Sequence, residues 1–199
     1  MPNASTMIGA SAILGIEFTA VMKGWKIALS RSERPRMSPA AKPDVTPVMK
    51  PKNVFFSVMA ARHAFLAAQW RDRLPVRAGV DANALVVTPP GHVGAALDLL
   101  GTAPGPLFVL GGLVGQILPR LLLAYGDDAA HASAVSEAPV RAVLGMAQLL
   151  LGEELRDGRT LLSRGAEGAA AARKVAEFED LLQRELGDGI GISPGARAS

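Results

Sequence analysis

Cysteine is absent from the 199-residue chain. That removes disulfides, thiolate metal sites and a cysteine nucleophile together, and leaves the redox compartment open. Aromatic residues make up only 5%, with one tyrosine and two tryptophans. Isoleucine and phenylalanine are sparse beside alanine, leucine, arginine and glycine, a balance that favours helices over sheets. Equally missing are a GxxxxGK[ST] loop, a strand-linked GxGxxG and an HExxH helix, and the one GxSxG match, GISPG at residues 191–195, stands in the glycine-rich tail with no strand pattern before it. Phosphate cradles, dinucleotide sites, zinc-protease helices and hydrolase elbows therefore have no support.

What is present suits one helical domain. A hydrophobic content of 49% over 199 residues supplies a substantial single core. The net charge of +3 hides an asymmetry: residues 1–77 hold 12 of the 21 Lys and Arg but only 4 of the 18 Asp and Glu. A basic arm of this kind can meet nucleic acid, anionic lipid or an acidic patch of its own or a sister subunit. Nucleic acid is not favoured, because the charges lack interleaved aromatics and prolines stand where a docking helix would be needed. Residues 7–22 have the length of a signal-peptide core, but no Lys or Arg precedes them and Glu17 interrupts them, so a core helix is expected. Residues 106–125 approach membrane length, yet Gln116, Pro119 and Arg120 break the run. A bundle helix is expected there, membrane association is not favoured, and the expected location is the cytoplasm.

Punctuation divides the chain. A first helix is expected over residues 8–29. Prolines at 35, 39, 43, 47 and 51 then forbid a helix, so residues 30–52 are expected to form an extended basic linker. Residues 53–187 hold the rest of the bundle: a helix over 53–74, with Val54, Val58, Ala61, Phe65 and Ala68 as its core stripe; a short crossover helix ending at Gly101; a helix over 106–125, bent at Pro119 and ending near Gly126; a fourth from Ser136 to about Arg164; and a fifth over 167–186. Residues 188–199 form a glycine-rich tail. This spells a single all-α domain, a four-helix bundle with a short crossover helix and an added C-terminal helix.

The chemistry-bearing residues are few. On the fourth helix Val140, Leu144, Ala147 and Leu151 lead inward to Glu154, and Asp157 is expected beside it on the same face. A buried carboxylate without a partner costs several kcal/mol, so such a position has a reason, as a ligand or in an ion pair with an arginine such as Arg62 or Arg120. His63 shares a helix face with Leu66, Ala67 and Trp70, where a helix histidine with one hydrogen bond near an aromatic is the plain reading. His92 is expected in a loop at a helix start. Asp128 and His131 stand three apart and could serve a metal if the helix continues past Gly126.

The segments RHAFLAAQWRDRLP (residues 62–75), VVTPPGHVGAALDLLG (86–101), LPRLLLAY (118–125), EAPVRAVL (137–144) and EELRDGR (153–159) resemble a group of bacterial ferritin-like helical proteins. The likeness spans about residues 54–165. It implies a bundle that, in active members, holds two iron or manganese ions with a Glu from each of two helices and an ExxH from each of the other two. Carried over by position, Glu17 is the acid of the first helix and Glu154 that of the fourth. Asp157 stands where the ExxH histidine would follow Glu154, and Ala60 stands three before His63. Two expectations follow: a non-catalytic bundle acting as a homo-oligomer or accessory subunit, or an iron or manganese protein with a reduced set of Glu17, His63, Glu154 and Asp157.

Overall fold

The structure, a computed structural model, describes residues 51–73, 91–166 and 168–187. Those residues are all-helical, with five helices and no strand: α1 Pro51–Arg71, α2 Gly91–Gly101, α3 Pro106–His131, α4 Ala138–Gly165 and α5 Ala169–Leu186. The helix expected over residues 8–29, most of the linker and the tail lie outside the described residues, and Glu17 lies there with them.

Helix α3 sits at the centre. Its first half packs against α5, α2 and α4, and its second half against α4, while α1 lies on α4 and α2 on α5. Leu110, Leu113 and Leu118 on α3 are wholly buried, together with Leu144, Ala147 and Leu151 on α4 and Leu182 on α5. Each such leucine contributes about 1.5–3 kcal/mol by leaving water. Directions follow from neighbours: α1 and α4 are antiparallel, with Lys52 by Gly165 and Phe55 by Gly158, and α3 and α4 are antiparallel, with Leu107 by Gly165 and Gly126 by Gln148. Helix α5 runs parallel to α3, with Val175 on Gly111 and Glu179 on Gly115.

Glycine sets the approach distances. A Cβ on Gly111 would sit 2.5 Å from Val175 Cγ1, and one on Gly158 would sit 2.5 Å from Val114 Cγ2 and 3.2 Å from Phe55 Cζ. The Glu179 carboxyl group lies over the same glycine face, its Oε1 3.0 Å from the Cβ positions of both Gly111 and Gly115. Burial there, helped by the neighbouring Asp180, pushes the Glu179 carboxyl above its ordinary range.

Three expectations are corrected. Helix α3 passes through Gly126 and runs to His131, since packing on α4 outweighs the ~1 kcal/mol cost of one glycine. Upstream of Pro119, residues Leu113–Ile117 widen into a π turn in which the Leu118 N–H reaches the Leu113 carbonyl. Proline removes one ladder donor, and the wide turn re-pairs the ladder around the loss. On α1 the stripe of Val54, Val58, Ala61, Phe65 and Ala68 faces outward, with Val54, Val58 and Phe65 each 44–48% exposed. Phe56, Met59, His63, Leu66 and Trp70 face inward instead. Both stripes have helical spacing, and the bulkier set wins because it removes more apolar area from water. Trp70 ends that stripe against Tyr125, ring centroids 6.0 Å apart, and burial pushes the Tyr125 phenol up to about 12, with the indole offsetting part of the rise.

Two consequences can be measured. Gly158→Ala should cost about 1–3 kcal/mol, because the stiff Val114 must move, whereas Gly94→Ala on α2, where a Cβ meets nothing within 4 Å, should gain about 0.5–1 kcal/mol; paired urea titrations read both. Glu179→Gln should stabilise the protein at neutral pH. A carboxyl whose folded pKa is raised favours folding below its unfolded pKa and loses that contribution as pH rises through the folded value, so the gain should vanish in acid, below the usual carboxylate range.

Candidate functional site

The one place where two ligand-type side chains meet inside the described fold is between α1 and α4. His63 comes from the inner stripe of α1 and Glu154 from the inner stripe of α4, and the antiparallel crossing brings them together. The His63 Nε2–H donates to Glu154 Oε2 at 2.9 Å, with the side chains 6% and 2% exposed. A hydrogen bond to a carboxylate in a low-dielectric interior is among the stronger ones proteins make. The second carboxylate oxygen, Glu154 Oε1, is buried without a hydrogen-bond partner among the described residues.

One residue earlier on both helices, Arg62 Nη2 donates to Glu153 Oε2 at 3.1 Å. This pair is part-exposed. Its Glu153 went unnoticed in sequence because it abuts Glu154; the Glu-Glu doublet was the available signal, since neighbours on a helix point about 100° apart and can serve two different partners.

Asp157 does not join the site. Its side chain is 56% exposed and lies 3.5 Å from Arg156 Nε. The next inward position after Glu154 is Gly158, four residues on, because the 3.6-residue turn carries position i+4 nearer to the buried centre line than i+3. A side chain at 158 would collide with Val114, so glycine stands there, and the inner face continues to Leu161, Leu162 and Gly165. The arginines are also placed differently: Arg62 takes Glu153, and Arg120 spans from α3 to the end of α5, donating to Gln183 Oε1 at 2.9 Å and to the Gly187 carbonyl at 2.7 Å. That second contact satisfies a backbone acceptor just past the end of α5.

At the Asp128 and His131 pair the histidine turns to Asp127. His131 Nδ1 donates to the Asp127 backbone carbonyl at 2.8 Å and lies 3.4 Å from Asp127 Oδ1, with both side chains largely in solvent. His92 belongs to the first turn of α2 and is exposed, not in a loop. Among the described residues no group of three or more His, Asp or Glu side chains could hold a metal ion. Within the described residues the His63–Glu154 pair offers one nitrogen and one carboxylate, with one carboxylate oxygen unspent there.

The outward face of α4 is a feature that helical reading of the inner stripe passes over. Ala142, Gly145, Leu149 and Gly152 recur at intervals of three and four on the side opposite Leu144, Ala147 and Leu151. Leu149 is 66% exposed, and Cβ atoms at Gly145 or Gly152 would meet nothing within 4 Å. A lone large side chain thus stands between two hollows, on a stretch bounded by the exposed Arg141 and Arg156.

A thermodynamic cycle separates the roles of the buried pair. Glu154→Leu or His63→Leu alone should cost about 3–5 kcal/mol, since each strands a polar partner in the core, while the double variant should recover most of that loss. Thermal melts with guanidinium titrations check it, and additive losses would rule out the coupling.

No protein-family model matches this chain, and no curated protein or solved structure matches it either.

Proposed function

We propose that this chain is a non-catalytic helical bundle of ferritin-like layout that works by association, as a homo-oligomer or an accessory subunit. The observation that carries the reading is the outer face of α4. A helix that is apolar on its inner side and also uncharged on its outer side from Ala142 to Gly152 is dressed for a second partner. Leu149 between Gly145 and Gly152 forms a knob flanked by hollows, a profile that can complement itself across a two-fold axis. The layout is supported by chain direction: α1 and α3 run the same way, joined by a crossover carrying α2, and α3 and α4 form an antiparallel hairpin, as in bundles with one long connection. Helix α3 is apolar and long enough to cross a membrane by length and composition, but 56% of its most apolar window is buried among the other helices, which favours an interior role.

Leu149→Asp tests the reading. The native chain should run above monomer mass in light scattering behind gel filtration, and the variant should fall to monomer with its helical circular dichroism and melting temperature little changed. A native chain that stays monomeric at high concentration and binds no partner through this face would refute it.

A second reading has its own observation. Glu154 Oε1 is buried with no partner among the described residues, and a carboxylate facing an imidazole across two helices is a donor set that iron or manganese accepts. In this reading Glu154 and His63 hold the metal, Glu17 is a further donor, and Asp157, Asp128 and His131 take no part. Elemental analysis of protein from iron- and manganese-supplemented cells decides between the two. The association reading expects no stoichiometric metal; one ion per chain, lost in Glu154→Ala, would replace it.

A further inference from the structure

The outer stripe of α1 presents a different surface, separate from that of α4. Val54, Val58, Ala61, Phe65 and Ala68 recur at intervals of four, three, four and three, and all five are exposed. Such spacing is the seam that one helix offers to another. The opposite stripe, from Phe56 to Trp70, is already occupied by the core, so α1 is apolar on two sides and needs cover on both.

The chain holds a matching stretch. Within residues 8–29, Leu14, Phe18, Val21, Trp25 and Ala28 recur at the same intervals of four, three, four and three. Twenty-two residues of helix would span about 33 Å, and the 21 residues of α1 span about the same length. Reversed against α1, the two stripes pair Leu14 with Ala68, Phe18 with Phe65, Val21 with Ala61, Trp25 with Val58 and Ala28 with Val54. The 21 residues from 30 to 50 are more than enough tether for a hairpin, and they hold the stretch at a local concentration that a second molecule would match only in the millimolar range. We infer that residues 8–29 of the same chain cover the outer stripe of α1 as an antiparallel helix. Because His63 points from the opposite side of α1, this docking keeps that stretch away from the His63–Glu154 contact.

The absence of native cysteine makes the test direct. In the full-length chain carrying Val21→Cys and Ala61→Cys, a short bis-maleimide should link the two sites within one molecule, seen as a peptide joining them by mass spectrometry and a monomer band on a denaturing gel. A control pairing Val21→Cys with Arg173→Cys on α5 should give no link. Trypsin should cut Arg31 and Arg36 at least about tenfold faster than Lys23 and Lys26, and Phe65→Asp should abolish that protection. Links formed only between molecules would overturn the inference in favour of a second copy on this face. No link at 21–61, an equal link in the control, or Lys23 and Lys26 cut as fast as Arg31 would also overturn it.

Discussion

The fold depends on how closely two helices can approach α3. Gly111, Gly112 and Gly115 open its wall to α5, and Gly158 opens α4 to Val114 and Phe55. Without those hollows the leucines that surround α3 could not close around it, and the gain from burying them would be lost to gaps or clashes. The same closeness explains why Glu179 is raised and why its charge is poorly solvated: its carboxyl lies over bare backbone where a side chain would otherwise have stood. The bundle is held by shape first, and its few buried polar contacts are arranged around that shape.

Helix positions were readable from proline, glycine and apolar spacing because those signals act locally. The ends of α4 and α5 fall within a few residues of expectation. Facing was harder. On α1 two stripes share helical spacing, and only the presence of α4 and α3 decides that Phe56, Met59 and Trp70 turn inward. On α4 the choice between Asp157 and Gly158 turns on a phase difference of one residue, which the collision with Val114 settles and a linear pattern does not. Glu154 was legible as an inward residue, but His63 lay opposite the expected core stripe of its helix, and their meeting depends on an antiparallel crossing between residues 91 apart in sequence. Spacing along one helix carries no information about which neighbour it will face.

Chemistry in this chain is correspondingly concentrated. Arg62, Glu153, His63 and Glu154 link α1 to α4 in two adjacent steps, one near water and one within the core. Such a contact fixes the register of two helices whose remaining contacts are non-directional, since sliding by one turn would break both bonds and strand a carboxylate. The apolar outer sides of α1 and α4 then give the molecule two surfaces of unequal texture: one a regular seam, the other a single projection among depressions.

The π turn at Leu113–Ile117 has a bearing on how this sequence could vary. The wide turn absorbs one surplus residue, and it lies between a stretch packed mainly on α5 and one packed on α4. Leu121 and Tyr125 keep their inward aim beyond it. Losing one residue between 113 and 117 would therefore let the wide turn close to an ordinary α turn with the far half of α3 still facing α4, whereas a deletion further along α3 would rotate everything beyond it by about 100°.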